Sequence, residues 1–363
     1  MAKPSRRGRG VTTIEDVARA AGVSAMTVSR VINQGKNVRE STREGVLEAI
    51  ERLNYSPNTA ARSLAAGQAM HIGLLYANPS AAYLAQFLIG ALHAARSAGV
   101  HLVIESCESE DADEQAEVIR RFATSEVEGV ILPPPLSESA PILVELQALQ
   151  IPVVTVAMGT PREDGLNVRI DDHAAAMEMT RYLLELGHRS IGFIKGHPNI
   201  VASHDRYRGF CNALAEAGLD PGGAPAEQGY FTYRSGLTAG ERLLSRANFP
   251  TAIFASNDDM AAATVSVAHR RGLEVPDDLS VVGFDDTALA TSVWPELTTV
   301  KQPIAAMAEA AVELLIADLR SKRGSAAHKF TERVLSHAMI IRESSGPPPA
   351  AARPKKVKTS RAG

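Results

Sequence analysis

The sequence predicts an α/β protein in which a small helical module precedes two doubly wound parallel-sheet lobes. Three observations carry that prediction. Capped helical patterns crowd into residues 11–57, short apolar strands alternate with helix-length stretches from residue 71 onward, and positive charge gathers at the two ends of the chain.

Residues 1–10 are Gly/Arg-rich without apolar content and are expected to form a disordered basic arm. Thr13 and Asp16 then stand in capping-box spacing, and Ile14, Val17 and Ala18 share one helical face before Ala21-Gly22-Val23 stops the helix. Ser24 caps a second helix through about Asn33, with Val28 and Ile32 four apart and facing inward. After the polar stretch Gln34 to Glu40, Ser41 and Glu44 make a second capping box, and Val46, Ile50 and Leu53 recur at helical spacing. Three helices in so short a span are the size of a DNA-reading module. The turn Asn54-Tyr55-Ser56-Pro57-Asn58 leads into residues 58–68, where Thr59 to Ala66 is rich in alanine but too short to be a stable helix in water. This hinge is expected to be helical only when held against something.

From His71 the expected strands are Ile72–Ala77, Leu102–Ser106, Gly129–Leu132, Val153–Ala157, Ile191–Lys195, Ala252–Ala255 and Ser280–Phe284. Helix-length stretches separate them: Ala91–Ala98, Asp113–Ser125, Ala174–Leu186, Asp205–Ala217 and Met260–Arg271. Apolar strands alternating with helices mean parallel sheets covered on both faces, and this much chain divides naturally into two lobes. The first is expected to run to about Gly159 and the second from Asp172 to Ser292, together spanning a domain of residues 69–342. Residues 343–363 are Pro/Ala/Lys-rich and read as a disordered basic tail.

Composition narrows the function. The 363 residues are 45% hydrophobic and 22% charged, with no apolar run long enough to span a membrane and no apolar segment behind the basic start. A soluble cytoplasmic protein without a membrane partner is expected. Cys107 and Cys211 sit in apolar-rich stretches that read as core, and two cysteines make neither a disulfide framework nor a four-cysteine zinc site. The net charge of −3 hides an asymmetry: residues 1–70 carry +5, residues 347–363 carry +5, and the body is left with −13. A basic head on an acidic body suits a polyanion partner for the head alone. No phosphate loop, HExxH or GxSxG is present, and His204 beside Asp205 is a sequence neighbour pair that points apart on a helix. Neither catalysis nor a cofactor is expected.

In a helix-turn-helix the second helix enters the major groove, so its outward residues must reach bases and phosphates. Arg30 can fork onto a guanine edge, and Ala25 and Met26 offer apolar contact to a thymine methyl. Ser24, Thr27, Ser29 and Asn33 suit phosphate or base-edge hydrogen bonds. By pattern alone an ordinary capped helical hairpin is the lesser alternative.

The stretch TIEDVARAAGVSAMTVSRVINQGKNVRESTREGVLEAIERLNYSPNTAARSLAAG resembles the headpiece and hinge of the lactose-repressor/galactose-repressor (LacI/GalR) family of bacterial transcription regulators. LGHRSIGFIKG, TAIFASNDDMA, VPDDLSVVGFDD and LTTVKQP are similar to landmarks of that family's effector domain and fall in the same order. The resemblance covers Thr12 to Arg342 and implies a homodimer on a palindromic double-stranded operator, with a periplasmic-binding-protein-like core whose small-molecule effector alters DNA affinity. It places Ala25 and Met26 at the variable base-reading positions, Arg30 at the guanine-contacting position, and Leu64 at the minor-groove wedge. A wedge unstacks a base step, and pyrimidine–purine steps yield most readily, so a central CG is expected in the operator. Phosphate contacts are expected from Thr13, Asn37, Thr42 and Asn58.

For the effector, planar bidentate groups and an aromatic face suit a polyhydroxyl ligand. Arg206, Asn257, Asp258 and Asp285 match the family's ligand-contacting positions, and Tyr83, Phe231 and Trp294 are candidate walls. Asp258 could instead cap the following helix, Asp286 could be a solvated turn carboxylate, and Trp294 could be interface packing. Leu84 lacks the ring that would stack on a purine, which favours a sugar or oligosaccharide over a nucleobase. The resemblance implies release of DNA by such an inducer as the commoner mode, with a purine-type corepressor as the alternative. A sugar-binding transport protein shares the core fold but would lack the headpiece. Leucine is absent after Pro347, so a dimer rather than a leucine-heptad tetramer is expected.

Overall fold

The chemistry of helix starts and ends accounts for the N-terminal module. In the computed structural model, which describes residues 13–32, 38–53, 70–159, 165–322 and 330–349, the chain divides into two units after Gln68. The first unit holds helices α1 (Ile14–Ala21), α2 (Ala25–Ile32) and α3 (Glu40–Arg52). The capping box forms as expected: the Asp16 amide donates to Thr13 Oγ1 at 3.3 Å and the Thr13 amide to Asp16 Oδ2 at 3.0 Å. Gly22 ends α1 with φ +66°, a left-handed conformation that side-chain-bearing residues rarely adopt, and this sharp exit sets up the turn into α2. The Thr27 amide donates to Ser24 Oγ at 3.2 Å, so Ser24 does cap α2. Val17, Ala18, Val28, Val31, Val46 and Ala49 form a core of small side chains. The expected Ser41/Glu44 box does not form, because α3 opens two residues earlier, at Glu40, behind Arg39.

The second unit is two six-stranded sheets. In the first, strands β1 (His71–Tyr76), β2 (His101–Ser106), β3 (Gly129–Leu132), β4 (Val153–Val156), β5 (Leu166–Arg169) and β11 (Thr331–Val334) run in the order β11-β5-β4-β3-β1-β2, all parallel. The second takes β6 (Ile191–Lys195), β7 (Ala226–Gln228), β8 (Ala252–Ala255), β9 (Ser280–Asp285), β10 (Thr298–Lys301) and β12 (Ala338–Ile340) in the order β12-β10-β9-β8-β6-β7, parallel except for β12. The helices of the first lobe are α4 (Ala81–Ala98), α5 (Ala112–Ala123) and α6 (Ala140–Ala148). Those of the second are α7 (Asp172–Glu185), α8 (Val201–Glu216), α9 (Tyr233–Leu244) and α10 (Asp258–Arg270). Helix α11 (Ile304–Lys322) returns to the first lobe and packs on α4 and on β3, β4 and β5. Among the described residues no helix is long and apolar enough to cross a membrane.

Each lobe is therefore discontinuous in sequence, which corrects the expected division near residues 159 and 172. Residues 166–169, 304–322 and 331–334 belong to the first lobe, and β10 and β12 carry the second beyond Ser292. Residues 343–349, expected to open the disordered tail, are held in the fold. Ser344 is buried, its carbonyl accepts the Val281 amide at 2.8 Å, and the Thr298 amide donates to Ser344 Oγ at 2.9 Å. Buried His188 fixes the next residues: the Gly346 carbonyl lies 2.9 Å from His188 Nε2 and can only accept, so Nε2 carries the proton and Nδ1 accepts from the Thr251 hydroxyl at 2.8 Å. Burial holds this imidazole below the ordinary histidine range. Of the two cysteines, Cys107 is core but Cys211 is only half-buried.

Candidate functional site

On the first unit, Met26 and Arg30 stand one turn apart on α2 and point into solvent. Met26 is 66% exposed, and Arg30 Nη2 approaches its sulfur at 3.6 Å. Ser24 and Thr13 are exposed as well. Thr27 and Ser29 are half-buried, and the Thr27 hydroxyl lies 3.0 Å from that of Ser24. Ala25, expected to face outward, is half-buried against the helical core, because the turn after Gly22 rolls the first residue of α2 inward. Thr42 lies half-buried in the first turn of α3. Asp16 is held below the usual carboxylate range by hydrogen bonds from Thr13, so the cap stays ionised at neutral pH. Asn33, Asn37, Asn58, Leu64 and the whole hinge at residues 58–68 lie outside the described residues.

In the second unit the carboxyl ends of both sheets face one cavity of about 440 Å³, partly open to solvent. The first lobe lines it with Asn78, Pro79, Ser80 and Tyr83 after β1, Pro134 after β3 and Ala157 after β4; the second supplies Ile200, Ala202, Arg206, Phe231, Asn257, Asp285 and Gln302. Five expected contact residues, Tyr83, Arg206, Phe231, Asn257 and Asp285, thus meet at one place. Arg206, only 5% exposed, donates from Nε to Asp172 Oδ1 at 2.8 Å and from Nη1 to the Ser256 carbonyl, and Nη1 lies 3.6 Å from Asp285 Oδ1. Its guanidinium sits 3.6 Å from the Phe284 ring centroid and 5.8 Å from that of Phe231. Asp285 Oδ1 also accepts from Gln302 Nε2 at 2.6 Å. The Tyr83 hydroxyl is buried without a partner, and burial raises its pKa well above the usual phenol range.

Backbone strain concentrates here. Ala157, Phe231, Asp285 and the adjacent Asp286 have φ of +55°, +60°, +113° and +54°, a region where each non-glycine residue costs about 1 kcal/mol or more and persists only where its surroundings hold it. Phe231 reaches the cavity across Gly196, where a Cβ would collide with its ring.

Glu138, Ser80 and Gln86 bridge the lobes near the cavity, Gln86 Nε2 donating to the Asp286 carbonyl at 3.4 Å. Glu138, in a short turn of the first lobe, accepts the Val201 amide at 2.8 Å and so caps α8, whose preceding Ile200 has no capping side chain. Ser80 Oγ donates to Asp259 Oδ2 at 2.7 Å. Burial pushes both carboxyls above the ordinary range.

Two expected ligand contacts are elsewhere. Asp258 does not line the cavity: its carboxylate accepts from the Thr299 hydroxyl at 2.7 Å and from the Thr287 amide and hydroxyl at 2.8 and 3.1 Å, so it ties α10 to β10 and to the loop after β9. Nor does it cap the helix, since Asn257 accepts the Met260 amide. Trp294 is 70% exposed and lies tilted on His269 at 6.0 Å, away from the cavity, because the loop after β9 turns it outward. Asp286 is not a solvated turn group but half-buried and paired with Arg342 at 2.6 Å. Asp172, Asn78, Ser80 and Gln302 went unanticipated. A signal existed for two of them: of the pair Asp171-Asp172 only Asp171 is needed as a cap, and Gln302 directly follows a strand end.

Comparisons with known proteins cover both units. The model of bacterial regulatory proteins of the lacI family matches residues 13–58, and that of a periplasmic binding protein-like domain matches residues 180–345. The HTH-type transcriptional repressor PurR of Photobacterium profundum is 33% identical over 336 residues, which span 92% of this chain and 98% of that protein. Among solved structures, a transcriptional regulator CelR–cellobiose complex superimposes with a TM-score of 0.70 at 31% identity, covering 92% of this chain and all of the other. The Lac repressor dimer bound to operator and the anti-inducer ONPF superimposes with a TM-score of 0.68 at 27% identity, covering 93% and 100%.

Proposed function

The chain belongs to the LacI family of bacterial regulatory proteins, and from that premise we propose that it represses sugar or oligosaccharide utilisation genes. On this reading a cytoplasmic homodimer occupies a palindromic operator and is released by an inducer bound between the lobes. The DNA-reading half is supported by Met26 and Arg30, which stand side by side on the exposed face of α2 with no partner beyond each other among the described contacts. The effector half rests on one observation: Arg206 and Asp285, a donor and an acceptor, lie together in a cavity that Tyr83 and Phe231 also line. Thr13, Ser24, Thr27, Ser29 and Thr42, with Asn33, Asn37 and Asn58, serve phosphates, and Ala25 adds an apolar edge. Leu64 levers open a central CG step.

Regulation is a linkage. A ligand that prefers one lobe arrangement shifts DNA affinity by its differential binding energy, typically about 1–3 kcal/mol per coupling. The closure contacts of Glu138 and Ser80 are the first to feel such a change.

Thermal-shift screening of sugars and purines, followed by operator binding with and without the hit, tests the reading. The operator is the palindrome enriched from random DNA. A sugar that raises the melting midpoint and releases this DNA is expected; a palindrome that never enriches defeats the regulator, and release without any sugar hit defeats the effector. Leu64→Ala should weaken the selected palindrome far more than random DNA, and equal losses would remove the wedge. The likeness to PurR favours a second reading, a purine-type corepressor that strengthens operator binding, and the same titration separates the two by sign.

A further inference from the structure

The geometry points to an uncharged effector: the cavity accepts a neutral polyol and rejects its phosphorylated form. This rests on the reading of the cavity as the effector site and narrows its ligand class. Arg206 is the sole cation among the described residues lining the cavity, and it is already neutralised twice over, by Asp172 at 2.8 Å and Asp285 at 3.6 Å. The cations beside Asp286, Arg342 and Lys301, are engaged with it at 2.6 and 3.8 Å. Two carboxylates, Asp285 in the wall and Asp172 directly behind it, therefore face one cation. A phosphate monoester brings a charge of about −2 and only acceptor oxygens, so it would meet Asp285 with repulsion and find Arg206 already paired.

The valences left open fit hydroxyls instead. Among the described residues Arg206 Nη2 makes no hydrogen bond, Asp285 Oδ2 has no donor, and the Tyr83 hydroxyl is buried and unpartnered. A guanidinium donor, a carboxylate acceptor and a phenol that can do either suit groups that both donate and accept, as every sugar hydroxyl does. They leave nothing for a ligand end that only accepts.

Two measurements test this. Calorimetric titration of the full chain with matched pairs (glucose and glucose 6-phosphate, cellobiose and its 6′-phosphate, ribose and ribose 5-phosphate, adenosine and AMP) should find any binding member neutral, with its phosphorylated mate weaker by at least about 100-fold. A phosphorylated member that binds as well as its mate overturns the inference but leaves the effector site standing. The second arm uses inorganic phosphate and needs no knowledge of the effector. Phosphate should not bind the wild type, and Asp172→Asn or Asp285→Asn, which each remove one of the guanidinium's two negative partners, should gain phosphate affinity by at least about tenfold, lost again when Arg206→Gln is added. Arg206-dependent phosphate binding by the wild type overturns the inference, as does failure of both folded Asn variants to gain it. Cavity binding by neutral sugars that leaves operator affinity unchanged would instead defeat the effector reading while this inference held.

Discussion

The reading face of α2 and the floor of the cavity are both places where this protein could meet a partner, yet their side chains are held in opposite ways. Met26 and Arg30 touch little but each other, and the caps that orient them, Thr13 and Ser24, bond residues three positions away. Arg206 is pinned by groups 34, 50 and 79 positions distant in the chain, from three separate elements. A surface that reads a long polymer can leave its side chains solvated and adjustable, because the partner supplies the missing contacts. A cavity must have its polar groups fixed beforehand, because a small ligand cannot organise them.

Removing Arg206 should show the contrast at its largest. Arg206→Ala leaves Asp172 and Asp285 buried without their cation, and the effector unit should lose about 3–5 kcal/mol in denaturant unfolding as well as its ligand response. A loss below about 1 kcal/mol would mean that the floor is no more committed than the headpiece face. On α2 the same kind of change should act on binding alone: Arg30→Ala should lower preference for operator over random DNA by about 1–3 kcal/mol, with headpiece stability moved by no more than about 0.5 kcal/mol. A headpiece that unfolds on this change would place Arg30 among the structural residues.

Smaller effects refine the comparison. Burial pushes Asp258 up to about 7, against hydrogen bonds from Thr299 and Thr287 and with Asp286 adding repulsion. The folded state thus holds this proton more tightly than the unfolded chain, whose carboxyl stays near 3.8. Its ionisation destabilises the fold fully above pH 7, and that penalty is relieved as pH falls below it, by roughly 1.4 kcal/mol per pH unit. The wild-type unfolding midpoint should therefore rise relative to Asp258→Asn between pH 8 and pH 6; a flat difference would show the carboxyl to be ordinary. His188, whose buried ring resists protonation, works in the other direction but is common to both proteins. Last, Thr13→Ala removes a local cap and should cost the headpiece about 1 kcal/mol by thermal melting while leaving the cavity unit unchanged. A larger loss would mean that Thr13 does more than cap.

How much of this could be read in advance follows the same division. The three N-terminal helices, the Thr13/Asp16 box, the Ser24 cap and the exposed Met26 and Arg30 were legible, because each depends on residues within about one helical turn. Seven strands were legible because a run of apolar residues needs no distant partner to declare itself. The short strands Leu166–Arg169, Ala226–Gln228, Thr298–Lys301, Thr331–Val334 and Ala338–Ile340 escaped, since they are only three or four residues long, all but the last at least half polar, and are made strands by their neighbours in the sheet.

By itself the sequence determined the headpiece, the alternation that builds two parallel sheets, and the identity of Arg206, Asp285, Tyr83 and Phe231 as groups suited to a polar ligand. Tertiary structure alone decided that Asp258 ties α10 to the sheet while Asp172 joins the site, that Trp294 faces solvent, and that Ser344 to Gly346 are stitched to the second lobe. The reason is range. Periodicity and capping are set by bonds a few residues long, whereas the role of a buried carboxylate depends on which donors the fold brings to it, and those arrive from strands and helices far along the chain.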